Sequence, residues 1–110
     1  MNLTFIHFSE FVSEWKRFRL CDEDLQALEA MLQKTPEKDN IIAGGGGIRK
    51  VRFVPPSRRV GKSGAFRVVY LYLRMGDVIV LLTIFAKKDQ ENLTDAQKAY
   101  LKKVTEGLKR

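Results

Sequence analysis

The spacing of apolar positions changes along the chain, from a helical repeat in the first third to strand-like runs in the middle. The apolar, partly β-branched run Leu3–Phe8 predicts a first strand. Two helices are predicted next, after Ser9 and Asp22 as candidate N-caps. Their apolar stripes are Phe11, Trp15 and Phe18, and then Leu25, Leu28, Met31 and Leu32. These stripes indicate core-facing surfaces.

Three strands are predicted in the middle of the chain, over residues 48–54, 66–74 and 77–85. The short link around Gly76 implies that the last two pair antiparallel, and the run "VIVLLTIF" is apolar on both faces, as in a central strand. Thr94 with Gln97 forms a capping-box pattern before a final helix. The expected fold is therefore a single α+β domain over residues 1–110, with the order β-α-α-β-β-β-α. We expect a mainly antiparallel sheet with the helices on one face and a basic, concave face.

Composition narrows the class of protein. The 110 residues are 45% hydrophobic, which suits one folded domain. One cysteine, the lack of a secretory leader pattern and the lack of an apolar run of about 20 residues predict a cytoplasmic protein that does not enter the membrane. One histidine and scattered carboxylates show no zinc or calcium spacing, so no metal or other cofactor is expected.

Charge is distributed unevenly. Residues 1–48 hold 5 Lys/Arg against 8 Asp/Glu, a balance of −3, whereas residues 49–110 hold 15 against 5, a balance of +10. Residues 49–74 contain eight cations and no acid. This asymmetry favours an extended anionic partner, most simply a nucleic-acid backbone, over basic residues that only keep the protein soluble.

Strand alternation places part of this charge on one surface. In "RKVRF", Val51 and Phe53 share one face, and Lys50 and Arg52 share the other, about 7 Å apart. Arg67 opens the next predicted strand, and Lys87 and Lys88 follow the one after it. A three-stranded meander would bring these five cations to one concave surface.

Other residues are weaker candidates. Arg49 and the loop residues Arg58, Arg59 and Lys62 would add contacts to a nucleic-acid backbone. Phe85 either stacks on a base or packs in the core. The run "GGGG" lacks the spacing of a phosphate-binding loop. His7 and Cys21 are expected to be structural or passive.

Several motifs together resemble the RelE-like toxins of bacterial toxin–antitoxin systems, and within them the HigB type. They are "GGGIRKVRF", "GAFRVVYLYL" and "LLTIFAKKDQENLTDAQKAYLKK", and the likeness extends over most of the chain. It implies a RelE-like fold. It also implies metal-independent cleavage of mRNA on the ribosome, in which the substrate's 2′-hydroxyl attacks the adjacent phosphate and leaves a 2′,3′-cyclic end.

The resemblance also suggests roles for the cations. Lys50 and Arg52 match the basic pair of the family's first meander strand, Arg67 its following arginine, and Lys87 or Lys88 its last cation. Lys50 would act as the base, the arginines would hold the phosphate, and Lys87 or Lys88 would support the leaving oxygen. Some relatives have a tyrosine or histidine near that end of the site. This chain has neither there, so the assignment of acid and base stays open.

The resemblance implies partners too. They are the mRNA and the ribosome, and a cognate antitoxin, usually a small helix-turn-helix protein through which the complex meets operator DNA. Three alternatives remain at this point: a noncatalytic RNA- or DNA-binding module, a protein whose basic surface only holds an acidic partner, or an inactive relic of a toxin. A neighbouring helix-turn-helix reading frame and toxicity on expression would favour the toxin.

Overall fold

The computed structural model describes residues 2–38, 40–58 and 65–109. Its elements, in chain order, are β1 (Thr4–His7), α1 (Ser9–Arg17), α2 (Asp22–Lys34), β2 (Asn40–Ile41), β3 (Arg49–Phe53), β4 (Phe66–Leu73), β5 (Val78–Ala86) and α3 (Asp95–Leu108). The predicted α+β class and element order are confirmed, with the two-residue β2 as an addition. None of the helices in the described ranges is long and apolar enough to cross a membrane.

The strands form one five-stranded sheet in the order β1-β5-β4-β3-β2. Neighbouring strands pair antiparallel except β1, which runs parallel to β5. The strand β5 is thus internal over its first half, in agreement with its apolar sequence. Strand β1 reaches only from Val78 to Leu81 along β5, and the chain then turns into α1.

Two apolar clusters lie on opposite faces of the sheet. On one face, Phe11 and Trp15 of α1 and Leu28 and Leu32 of α2 pack against the sheet, where Tyr70 is fully buried. We call this the α1/α2 face. On the other, the α3 face, Leu101 of α3 packs with Ile48, which directly precedes β3, and with the sheet residues Val69, Leu71, Val80, Leu82 and Phe85.

One detail of the expected fold was wrong: the helices do not share one face. Helix α3 crosses the face opposite α1 and α2. The physical reason is that the long strands β4 and β5 are apolar on both sides, so each side needs a cover. The basic surface therefore shares its face with α3.

Helix boundaries follow local chemistry. Thr94 and Gln97 form the predicted capping box: Thr94 Oγ1 accepts from the Gln97 N–H at 3.1 Å, and Gln97 Oε1 accepts from the Thr94 N–H at 2.9 Å. Helix α2 has Cys21 rather than Asp22 at its N-cap, and Asp24 accepts from the Cys21 N–H at 3.1 Å. Helix α1 begins at Ser9, one residue before the prediction.

Glycine is required where the β2–β3 loop meets α3. Gly46 has φ +78°, and a Cβ atom there would come within 2.8 Å of Thr105 Oγ1. Any side chain would strain the backbone and press on the helix. The glycine run thus lets the start of β3 lie against α3, which positions Lys50.

Candidate active site

The site is built on a cross-strand row of the α3 face. In the sheet register Arg52 of β3 lies opposite Arg67 of β4, and Arg67 lies opposite Phe85 of β5. Directly opposed side chains have Cβ atoms about 5 Å apart, and like charges in such pairs destabilise a sheet. We call Arg52 and Arg67 the arginine pair.

The arginine pair has no described acidic partner. Arg52 is exposed and Arg67 is half-buried, and no ion pair of the described residues includes either guanidinium. One Nη atom of Arg67 is buried and has no hydrogen-bond partner among the described residues. A buried donor without an acceptor costs about 1–3 kcal/mol, and more when charged. The arrangement therefore suits an anion that binds over this face of the sheet, between the two guanidinium groups.

A β-bulge brings Phe85 into this row. Val69 pairs with Thr83 and Tyr70 with Leu81, so Leu82 is an extra residue in β5. Without it, Phe85 would lie on the α1/α2 face with Leu81, because side chains alternate along a strand. The bulge turns Thr83 and Phe85 toward the α3 face, where Phe85 packs in the second apolar cluster and is only 7% exposed.

Lys50 lies on the same face of the sheet, two residues before Arg52 in β3. Its Nζ donates to Asn92 Oδ1 at 2.8 Å. Asn92 belongs to the segment between β5 and α3, so this bond joins the meander to the start of the last helix. Lys50 also lines a cavity of about 360 Å³ with Lys98 and the apolar residues Ile41, Ile42 and Leu93. A cation thus projects into a partly apolar cleft.

Lys87 and Lys88 directly follow β5 and are exposed. The Lys87 N–H donates to the Ala65 carbonyl at 3.2 Å, beside the start of β4. The backbone of Lys87 is therefore at the end of the sheet where Arg67 lies. The structure thus places Lys50, Arg52 and Arg67 on one face of the sheet, and the backbone of Lys87 at the end of the sheet beside them.

Two of the other candidate residues lie elsewhere. Arg49 is opposite Tyr70 in the register and donates to the Glu37 carbonyl at 2.9 Å, on the α1/α2 face. Arg58 donates to the Phe18 carbonyl and lies over the Phe66 ring, on that same face. Neither shares the surface of the arginine pair. Arg59 and Lys62 are outside the described residues.

His7 and Cys21 are also away from the arginine pair. His7 Nε2 is 2.8 Å from Glu29 Oε2, and its ring packs near Phe11. Cys21 donates its S–H to Asp24 at 3.3 Å. Among the described residues there is no group of three or more His, Cys, Asp or Glu that could hold a metal ion.

Sequence reasoning missed two polar supports. One is Asn92, which is 42 residues from Lys50 and was not among the predicted site residues. The other is Asp24, fully buried, which accepts from the Ser57 hydroxyl at 2.6 Å and the Ser57 N–H at 3.0 Å. Burial raises the pKa of Asp24, but the hydrogen bonds from Ser57 and Cys21 outweigh it, so this pKa is below its ordinary value. Asp24 thereby fixes the start of the basic loop to α2.

The architecture is shared with solved bacterial toxins. A mutant of E. coli toxin RelE in the free state matches with a TM-score of 0.59 and 15% identity, over 96% of this chain and 98% of that one. The isolated E. coli RelE toxin matches with a TM-score of 0.55 and 15% identity, over 94% and 99%. RelE in the intact E. coli RelBE toxin–antitoxin complex matches with a TM-score of 0.55 and 16% identity, over 77% and 96%. At these identities the likeness shows a common fold, and the class is that of RelE-like domains.

Membership of a family follows from the sequence. The model of the RelE toxin of the RelE/RelB toxin–antitoxin system matches residues 6–110. The chain belongs to the RelE toxin family.

Proposed function

We propose that this chain is the toxin of a toxin–antitoxin pair and cleaves mRNA on the ribosome. The observation that carries the proposal is the arginine pair: one Arg67 nitrogen is buried without a partner, and neither guanidinium is in an ion pair of the described residues. RelE-family toxins are generally endoribonucleases, and the family match makes RNA the first anion to test.

The chemistry is transesterification followed by release of the downstream RNA. The 2′-oxygen of the substrate forms a bond to phosphorus while the bond from phosphorus to the 5′-oxygen breaks. Negative charge grows on the phosphoryl oxygens, and Arg52 and Arg67 would stabilise it with charge-assisted hydrogen bonds. The products are a 2′,3′-cyclic phosphate and a 5′-hydroxyl.

Two protons must move in this reaction. Lys50, held by Asn92, is the candidate to take the proton of the 2′-hydroxyl, which it can do only as the neutral amine. Lys87 or Lys88 is the candidate to supply a proton, or positive charge, to the leaving 5′-oxygen. The polar contact of Lys50 supports its role because a base must be held in a fixed position relative to the phosphate.

The antitoxin is the second proposed partner. The E. coli relative occurs in an intact complex with its antitoxin. For this chain we propose a small helix-turn-helix antitoxin of the HigB-associated kind, encoded beside the toxin, through which the complex reaches operator DNA. Affinity purification of the chain, co-expressed with the adjacent reading frame, tests that partner. Failure to recover a stable complex would contradict it.

The first experiment is translation in a cell-free extract with purified protein, followed by primer extension on the mRNA. Wild type should cut within translated codons and leave naked RNA intact. Arg67→Ala should lower cleavage by about 100–1,000-fold. Arg74→Ala is the matched control. Arg74 directly follows β4, the strand that contains Arg67, and its side chain pairs with Glu37 at 2.8 Å, away from the arginine pair.

The outcomes separate the candidate functions. Equal cleavage by Arg67→Ala and wild type would remove Arg67 from the site. If wild type binds RNA but leaves the mRNA uncut, the chain would be a noncatalytic binding domain. Intact mRNA without RNA binding would leave an inactive member of the family.

A further inference from the structure

A second cavity, of about 180 Å³, lies beside the arginine pair at the outer edge of β5. The residues that line it are Glu10, Glu14 and Arg17 of α1, Thr83, Ile84 and Phe85 of β5, and Gln90 and Gln97 from the segment before α3 and its first turn. Phe85 is the cross-strand neighbour of Arg67, so the cavity adjoins the proposed phosphate site.

The topology leaves this space open. Strand β1 pairs only with Val78–Leu81, and the Phe8 N–H then donates to the Leu81 carbonyl as the chain turns into α1. No strand lies along the outer side of the second half of β5 within the described residues. Helix α1 takes that place and presents its polar side to Thr83 and Phe85.

Several polar groups of the cavity already have partners among the described residues. Glu14 pairs with Arg17 at 2.7 Å, and the Gln97 carbonyl oxygen accepts from Thr94 and Gln90. The Glu10 carboxylate has no partner among the described residues. Thr83 is only 7% exposed, yet its hydroxyl also has none in that set. Among the described residues the buried side-chain atom without a partner is the Arg67 Nη atom, so the Thr83 hydroxyl keeps contact with solvent. It is therefore free to donate a hydrogen bond to a ligand in the cavity.

We propose that this cavity holds one nucleobase of the bound RNA, next to the scissile phosphate, and selects bases with an exocyclic amino group. The inference rests on the proposed function and names a specificity residue, Glu10. Its carboxylate accepts from the amino group, while the Thr83 hydroxyl donates to the neighbouring ring nitrogen or carbonyl of the base. Phe85 contributes an apolar wall.

The chemistry of the donors decides which bases fit. A carboxylate can only accept hydrogen bonds, and adenine, cytosine and guanine each offer an amino group on the Watson–Crick edge, as Glu or Asp receives from cytosine. Uracil instead presents carbonyl oxygens on both sides of its single N–H, which the Glu10 carboxylate repels. The cavity of about 180 Å³ holds about six waters at roughly 30 Å³ each, which is enough room for one planar base.

A carboxylate at the rim of a basic RNA-binding surface weakens backbone attraction, so it is better explained by discrimination between bases. Glu10 does not neutralise the arginine pair, because no ion pair of the described residues joins them. The net effect would be lower affinity for all RNA in exchange for rejection of uracil.

The test compares wild type, Glu10→Gln and Glu23→Gln on translated mRNAs that contain every codon, with cleavage ends mapped by sequencing. Glu23 is a matched control because it is also an exposed acid in the first turn of a helix, and it is far from the cavity in sequence and on another helix. The glutamine amide adds a donor that uracil accepts. Relative cutting beside uracil should therefore rise by about tenfold in Glu10→Gln.

The same three proteins are titrated with short fluorescent RNA oligomers that differ in one base, read by anisotropy. A bias against uracil in wild type and Glu23→Gln that is lost in Glu10→Gln supports the inference. If wild type and Glu10→Gln cut beside the same bases in the same proportions, the inference is overturned. Cleavage by both proteins would still support the proposed nuclease function. If wild type cuts nothing, the proposed function fails, and the oligomer titration alone decides the base selection.

Discussion

The two faces of the sheet differ in what covers them. On the α1/α2 face two helices bury an apolar cluster that extends from Phe11 to Ala86, with Asp24 as a fully buried, hydrogen-bonded carboxylate at its margin. On the α3 face one helix covers only part of the sheet, and the row of Arg52, Arg67 and Phe85 continues beyond it. The first face supplies stability, and the second retains unpaired charge for a ligand. The alternation of side chains lets one strand serve both purposes.

The largest change in stability should come from a substitution on the α1/α2 face. Leu28 is fully buried there, so Leu28→Ala removes apolar contacts and leaves a cavity. We expect a loss of about 2–5 kcal/mol in the free energy of unfolding, measured by urea denaturation. Cleavage per folded molecule should be unchanged. A stable Leu28→Ala protein would mean that this face is not the main core.

The next effect concerns Asp24 and pH. Its folded-state pKa lies below the ordinary value of 3.8, so its contribution to stability is fully present above that value and is lost as pH falls toward the folded pKa. Asp24→Asn should destabilise the protein at neutral pH by about 1–3 kcal/mol.

Thermal melting from pH 7 to pH 2.5 measures this. The difference between wild type and Asp24→Asn should narrow below about pH 4. Ser57→Ala, which removes one donor to the same carboxylate, should show part of the effect. A constant difference at all pH values would contradict the role of ionisation.

A smaller effect of opposite sign should come from the α3 face. Arg67→Met keeps the apolar stem but removes the charge opposite Arg52 and the buried unpartnered nitrogen. The melting temperature should rise, by the equivalent of about 0.2–1 kcal/mol, while RNA cleavage is lost. A fall in melting temperature would show that Arg67 stabilises the free protein, and would weaken the contrast between the faces.

The smallest effect should come from the surface pair of Glu37 and Arg74. The hydrogen bond from Arg74 lowers the pKa of Glu37, but both side chains are exposed. Screened pairs of this kind add little to stability. Glu37→Gln should leave the melting temperature unchanged within experimental error. A clear fall in melting temperature would show that the Glu37–Arg74 pair stabilises the fold.

The sequence by itself determined the class of the fold and much of its order. Helical and alternating repeats predicted α1, α2 and the strands β3 to β5 within a few residues, because these patterns depend only on which positions must be buried. The Thr94–Gln97 box fixed the start of α3, because capping is local. Alternation in "RKVRF" also placed Lys50 and Arg52 on one face.

Only the tertiary structure decided what lies around those cations. Because β4 and β5 are apolar on both faces, α3 packs on the face opposite α1 and α2. The bulge at Leu82 moved Phe85 to the side of Arg67, and Asn92 came within 2.8 Å of Lys50 from 42 residues away. These facts depend on how distant segments pack and on strand register, which no local pattern of residues encodes.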